Sequence, residues 1–178
     1  MTEHRQKRDD LIAAASEFCE LCENAKQLGS ERFLLGLHRA QPRLQAAGAE
    51  LPYPDDTDEI PDDDLDLSPT PEEMGVFMRP IWDMLSEIDW EPVWKDLHEA
   101  VSPRRFERRA QWPIRAFLYD DLYDTYWCLK YGLRLIDAGR PEAEAVFYWR
   151  MYFWSEWGYH NAEALRVIHY YVALYLAG

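Results

Sequence analysis

The sequence predicts an all-α helical bundle of about five to seven helices with one long acidic loop. Three observations carry this. Apolar residues recur three and four positions apart along most of the 178-residue chain, no stretch sustains two-residue alternation, and glycine or proline stands at the joints between periodic segments. At this length a single helical domain, residues 1–178, is expected to bury a substantial core.

The first helix begins near residue 5 and places Leu11, Ala14, Ala15, Phe18, Leu21, Cys22 and Ala25 on one face. The second carries Phe33, Leu34, Leu37, Ala40 and Leu44 as far as residue 48. Between them Gly29 reads as the residue past a helix end and Ser30 as the next N-cap. So short a joint predicts an antiparallel hairpin.

No lysine or arginine stands between Arg43 and Arg79, while "ELPYPDDTDEIPDDDLDLSPTPEE" holds eleven acidic residues and five prolines. Proline removes backbone donors and like charges repel, so residues 49–70 are expected to form an extended, mobile loop. Such a loop is either a solvated connection, or an acidic segment that docks to a partner or gathers divalent cations weakly. After it, "SPTPEEMGVFMRPIWDMLSEI" reads as a helix with Thr70 at the N-cap, Pro71 in the first turn, Glu72 and Glu73 against the positive dipole end, and a potential kink at Pro80.

A short helical segment follows from Trp90 to Ala100, then an irregular basic stretch with Arg104, Arg105, Arg108, Arg109 and Arg115. Those arginines either fold back onto the chain's acidic surface or bind an anion. From Trp112 or Pro113 a long helix runs to about Ala138, with Leu118, Leu122, Leu129, Leu133 and Ile136 on one stripe. Gly139 ends it and Pro141 opens a segment over 141–157. A last helix is expected over 159–177, with Gly158 at the joint or at a bend.

Composition excludes several function classes. Hydrophobic residues at 48% and charged residues at 29% are the balance of a folded globular chain. No apolar run is long enough to span a membrane, and the N-terminus has no secretory pattern, so a cytoplasmic location is expected. A net charge of −14 opposes binding to nucleic-acid phosphates and favours a protein partner with a basic surface. Cys19, Cys22 and Cys128 cannot all pair within the chain, and at helical spacing the first two read as small buried apolar residues.

Candidate chemistry gathers in "FLYDDLYDTYWCLKYGL", where Asp120, Asp121 and Asp124 interrupt an apolar helix. They lie beyond the first turn of their own helix, so its dipole does not account for them. Asp124 shares a face with Asp120 or Asp121, three or four residues away. Possible partners stand in "FYWRMYFWSEWGYHNAEALRVIHYY": Glu156 and His160 four residues apart, with Trp157, Arg150 and Arg166 nearby. Eight of the thirteen residues from Phe147 to Tyr159 are aromatic, too many for one buried stripe, so this region is either central to the bundle or lines a groove.

Asp120, Asp121, Asp124, Glu156, Trp157, His160 and Arg166 are therefore the candidate polar cluster, with Asp121 or Asp124 expected within reach of His160 or Arg166. Its readings are a structural hydrogen-bond network, a metal site of Asp121, Asp124, Glu156 and His160, or a small polar ligand or acid–base site. His169 reads as a partly buried packing residue, and His4, His38 and His98 have no grouping that suggests chemistry. The chain has no glycine-rich phosphate loop, Gly-x-Ser-x-Gly elbow or His-Glu-x-x-His.

These residues resemble a bacterial family known as domain of unknown function 5063. Its pattern of Asp-Asp-Leu-x-Asp-x-Tyr, lysine and Gly-Leu stands here as Asp120, Asp121, Leu122, Asp124, Tyr126, Lys130, Gly132 and Leu133. The tryptophan-rich part stands as Trp149, Arg150, Phe153, Trp157, Gly158, His160, Ala164, Leu165, Arg166 and His169. Glu156 occupies a position where members often carry histidine, which weakens a histidine-rich metal site here. The resemblance implies a helical fold and no particular activity.

Two function classes fit these features. The first is a small acidic non-catalytic interaction protein, an immunity-type, inhibitory or regulatory partner of a basic protein. The alternative is a metal-dependent hydrolase acting on a phosphorylated or nucleotide-like substrate. No cofactor is expected under the first; a divalent metal belongs to the second. A sensor that binds a small ligand in an aromatic groove is a further class, with no ligand selected.

Overall fold

Capping and glycine placement set where the helices start and stop. In the computed structural model, residues 2–51, 67–100 and 113–176 are described. They form seven helices, with no strand among the described residues: α1 (Thr2–Glu23), α2 (Ala25–Ala49), α3 (Pro71–Ser86), α4 (Glu91–Ala100), α5 (Ile114–Asp137), α6 (Glu142–Phe153) and α7 (Trp157–Tyr175). The all-α class is as expected.

The α1–α2 joint combines two breaks. Helical dihedrals lapse first at Asn24, and again inside α2 at Gly29, with φ 73° and ψ 166°. A single turn, 25–28, thus precedes the long part of α2. Arg43 reaches back to Glu17 at 2.6 Å, and Gly36 lies against Leu21, so the two helices run antiparallel.

Thr70 starts α3 through a capping box: its hydroxyl accepts from the Glu73 N–H at 3.2 Å, and the Glu73 carboxylate accepts from the Thr70 N–H at 2.7 Å. Pro80 does not end this helix, which continues to Ser86. The stop of α5 is a Schellman turn around Gly139 at φ 78°, with Gly139 N–H donating to Ile136 and Arg140 N–H to Leu135.

The start of α7 departs from expectation. The chain breaks at Trp154–Glu156, and Gly158 lies inside the first turn of α7 rather than between helices. A Cβ at Gly158 would collide with the Phe153 carbonyl and ring. This glycine serves close approach of α6 and α7, not a turn.

Part of the acidic loop, residues 52–66, lies outside the described residues. Its edges are anchored: Ala49 ends α2, Leu51 and Pro69 are buried, and Leu67 packs against the core. Arg134 of α5 donates to the carbonyls of Leu67 and Ser68 and pairs with Glu73 at 2.9 Å. Of the arginine cluster, Arg104, Arg105, Arg108 and Arg109 also lie outside the described residues. Arg115 lies over the Trp82 ring, 5.7 Å from its centroid.

A continuous buried core joins the helices, with α7 packed against α2, α4, α5 and α6. Its largest members are the fully buried Trp149 and Trp157. Trp149 Nε1–H donates to the Cys128 and Leu129 carbonyls of α5, and Trp157 Nε1–H donates to the Trp149 carbonyl at 2.7 Å. Gly132 and Gly48 provide the room: a Cβ at the first would overlap the Trp149 indole, and at the second Trp157 and Phe153. The three cysteines are buried and free, and burial raises their thiol pKa values, that of Cys128 to about 12.

Candidate functional site

The tryptophan relay from α5 to α6 to α7 brings the middle of α5 against the first turn of α7. Asp121 is on the buried side of α5, and Thr125 one turn on donates its hydroxyl to the Asp121 carbonyl at 2.7 Å. His160, fourth residue of α7, points across the gap. Its Nδ1 lies 2.8 Å from Asp121 Oδ1, and its Nε2 lies 3.3 Å from Asp124 Oδ2 and 3.9 Å from Glu156 Oε2.

The carboxylates differ in exposure, which separates their roles. The Asp121 side chain is 3% exposed, Asp124 38% and Glu156 48%, while the imidazole between them is 14% exposed. Asp120 is on the open surface. The cluster has a closed end at Asp121 and an open end at Asp124 and Glu156. Glu156 directly precedes α7, where unpaired N–H groups favour negative charge.

Burial alone would discharge His160, but the hydrogen bond and charge of Asp121, followed by the charges of Asp124 and Asp120, raise its pKa above the ordinary value. Burial also raises the Asp124 pKa, against the opposing pull of His160. With Nδ1 turned to Asp121 and Nε2 to Asp124, the imidazolium satisfies a carboxylate on each side. Three carboxylates lie within 4 Å of this imidazole, and the charge of Asp120 acts on it from the open surface.

The remaining sequence candidates have these surroundings. Trp157 is fully buried and supports the cluster from beneath rather than lining it. Arg166 pairs with Glu163 of its own helix at 2.6 Å. Arg150 lies over the Trp154 ring, 5.7 Å from its centroid. Among the described residues, no group of three or more His, Cys, Asp or Glu side chains is arranged to hold a metal ion.

The structure adds aromatic residues to this corner. Trp154 is 69% exposed, Tyr159 45% and Tyr152 39%, all within a turn or two of Glu156, and the Tyr159 ring meets His160 edge-on at 5.3 Å. Tyr131, Tyr148 and Tyr152 continue as a ladder with centroid spacings of 4.3 and 4.6 Å. The excess of aromatic residues over one buried stripe was the sequence signal for this. Which rings face water depends on the break at 154–156.

Comparison with known proteins places the chain. The profile of the domain of unknown function DUF5063 matches residues 2–174. The chain belongs to that family. A similar fold is found in the crystal structure of protein BF1032 from Bacteroides fragilis, with TM-score 0.64 and 20% sequence identity over 95% of this chain and 92% of that one. At that identity the likeness concerns the fold of this DUF5063 chain. No curated protein matches it.

Proposed function

We propose that this protein is a small acidic, non-catalytic interaction domain whose α5–α7 corner receives a cationic side chain of a basic protein partner. One observation carries the reading: Glu156, which with Asp124 forms the part-exposed acidic end of the cluster, is flanked in the chain by the exposed rings of Tyr152, Trp154 and Tyr159. Carboxylates attract a guanidinium or ammonium group, and aromatic faces stabilise it once water is displaced. Exposed tryptophan and tyrosine are the residue types that dominate binding energy at protein interfaces. The net charge of −14 would speed encounter with a basic surface.

Asp121 and His160 have a positioning role in this reading. The buried carboxylate holds the imidazolium, and the imidazolium holds Asp124 in place at the rim. The metal-dependent hydrolase would draw on the same Asp121, Asp124, Glu156 and His160, so one set of experiments separates the two.

Native mass spectrometry of the protein recovered gently from its source cells tests the reading. A basic protein should accompany the wild type at low salt, and be lost both at high salt and from the Trp154→Ala/Glu156→Gln variant. Repeated recovery without a protein partner, or equal retention by the variant, would overturn it. A stoichiometric divalent metal, with Mg²⁺, Mn²⁺ or Zn²⁺ raising the Tm, would favour the hydrolase instead.

A further inference from the structure

A second pair of functional groups lies on the other side of α7. His38 of α2 and His169 of α7 are separated by 131 positions in the chain, yet His38 Nε2 lies 3.0 Å from His169 Nδ1. Their ring centroids lie 5.3 Å apart with 20° between the planes, so the two imidazoles meet edge to edge, nitrogen to nitrogen. His169 is exposed and His38 partly so. We propose that His38 and His169 form a two-histidine chelate for a divalent late transition-metal ion such as Ni²⁺, Cu²⁺ or Zn²⁺, with water completing the coordination.

Imidazole nitrogen binds such ions at about 2.0–2.1 Å, so two neighbouring ligands at a right angle sit about 2.9 Å apart. The observed 3.0 Å leaves the two nitrogens at that separation before any ion arrives. The two nitrogens now face one another, so each ring turns by about 45° to bring both lone pairs to a common point on the solvent side at right-angle coordination. In the hydrogen-bonded pair one bridging nitrogen carries the proton. Chelation needs that proton on the far nitrogen of its ring, a tautomer change without net proton release once both rings are neutral.

Backbone spacing at the pair is held independently of the rings. Asn161 of α7 donates to the Gln41 carbonyl at 3.2 Å and to Gln45 Oε1 at 2.8 Å, both on α2. Gln41 is one turn from His38, and Asn161 is fully buried. The two imidazoles are thus presented by helices whose separation is set in the core, so the ion has the two rings to reorient and not the backbone. Arg39 is the nearby charge that opposes a cation, which keeps the site selective for ions that bond to nitrogen over hard ions attracted by charge alone.

The test uses untagged full-length protein carrying His4→Ala, which removes an exposed histidine near the start of the chain. Calorimetric titration at neutral pH should find one Ni²⁺ per chain, accompanied by a rise in Tm. His38→Gln or His169→Gln should each weaken binding by about a hundredfold, the loss expected when a bidentate site becomes monodentate. Far-UV circular dichroism confirms that these surface variants remain helical, and ring resonances of His38 and His169, not His160, should broaden with Ni²⁺. Failure of the parent to bind, or undiminished binding by both glutamine variants, would overturn the proposal. Neither result bears on the corner at Asp124 and Glu156.

Discussion

An imidazole largely enclosed by protein ordinarily gives up its proton, because burial penalises the charged form. His160 is held the other way by Asp121 and Asp124. Its raised pKa means that the folded state binds the proton more tightly than the unfolded chain. The resulting stabilisation is fully present below the ordinary histidine value and is lost as pH rises through the raised folded value. Asp121→Asn should lower the His160 pKa, measured by NMR titration of the ring, and flatten this part of the stability profile; an unchanged titration would disprove the coupling. At the open end Glu156→Gln should leave stability within about 0.5 kcal/mol of wild type, as expected for an exposed side chain, while weakening the proposed binding of a basic partner. The acids and His160 were recognisable from sequence as a group. Their order, from buried Asp121 to exposed Glu156, was not, because side-chain depth depends on which face of α5 meets α7.

Helices in this fold are defined at their ends by local chemistry and between their ends by close approach. The capping box of α3 makes a local test. Thr70→Ala removes the hydroxyl acceptor and should cost about 1 kcal/mol, read as a lower urea midpoint. The Thr70 N–H, then Arg134, hold the Glu73 carboxyl down at about 2. Its contribution is therefore present above the ordinary glutamate value and is lost as pH falls toward 2. Gly132→Ala tests close approach: the added methyl meets the buried Trp149 indole, and the expected cost is about 1–3 kcal/mol in chemical denaturation. Thr70, Pro71, Gly139 and Pro141 marked helix ends legibly because caps act within one turn. Gly158 misled, since a glycine required by a neighbouring carbonyl carries the same letter as one required by a turn.

Across the whole molecule, the tryptophans connect core to site. Trp149 packs on Gly132 and bonds to α5, Trp157 bonds to Trp149, and together they position the first turn of α7 that carries His160. Trp149→Ala should cost about 3–5 kcal/mol and disturb the His160 titration as well, through Trp157, which bonds to the Trp149 carbonyl and opens the turn that carries His160. A variant that loses stability but keeps the His160 titration unchanged would show the cluster to be independent of this relay. The all-α class, the helix ends at Thr70 and Gly139 and the acidic composition of 49–70 were determined by the sequence alone, because periodicity, capping and charge act over one to four residues. The joining of Asp121 to His160, the burial of Trp157, the exposure of Trp154 and the meeting of His38 with His169 were decided only by the tertiary structure. Each depends on how two distant helices are rotated about their axes, and that rotation is set by the summed packing of the core rather than by any local pattern.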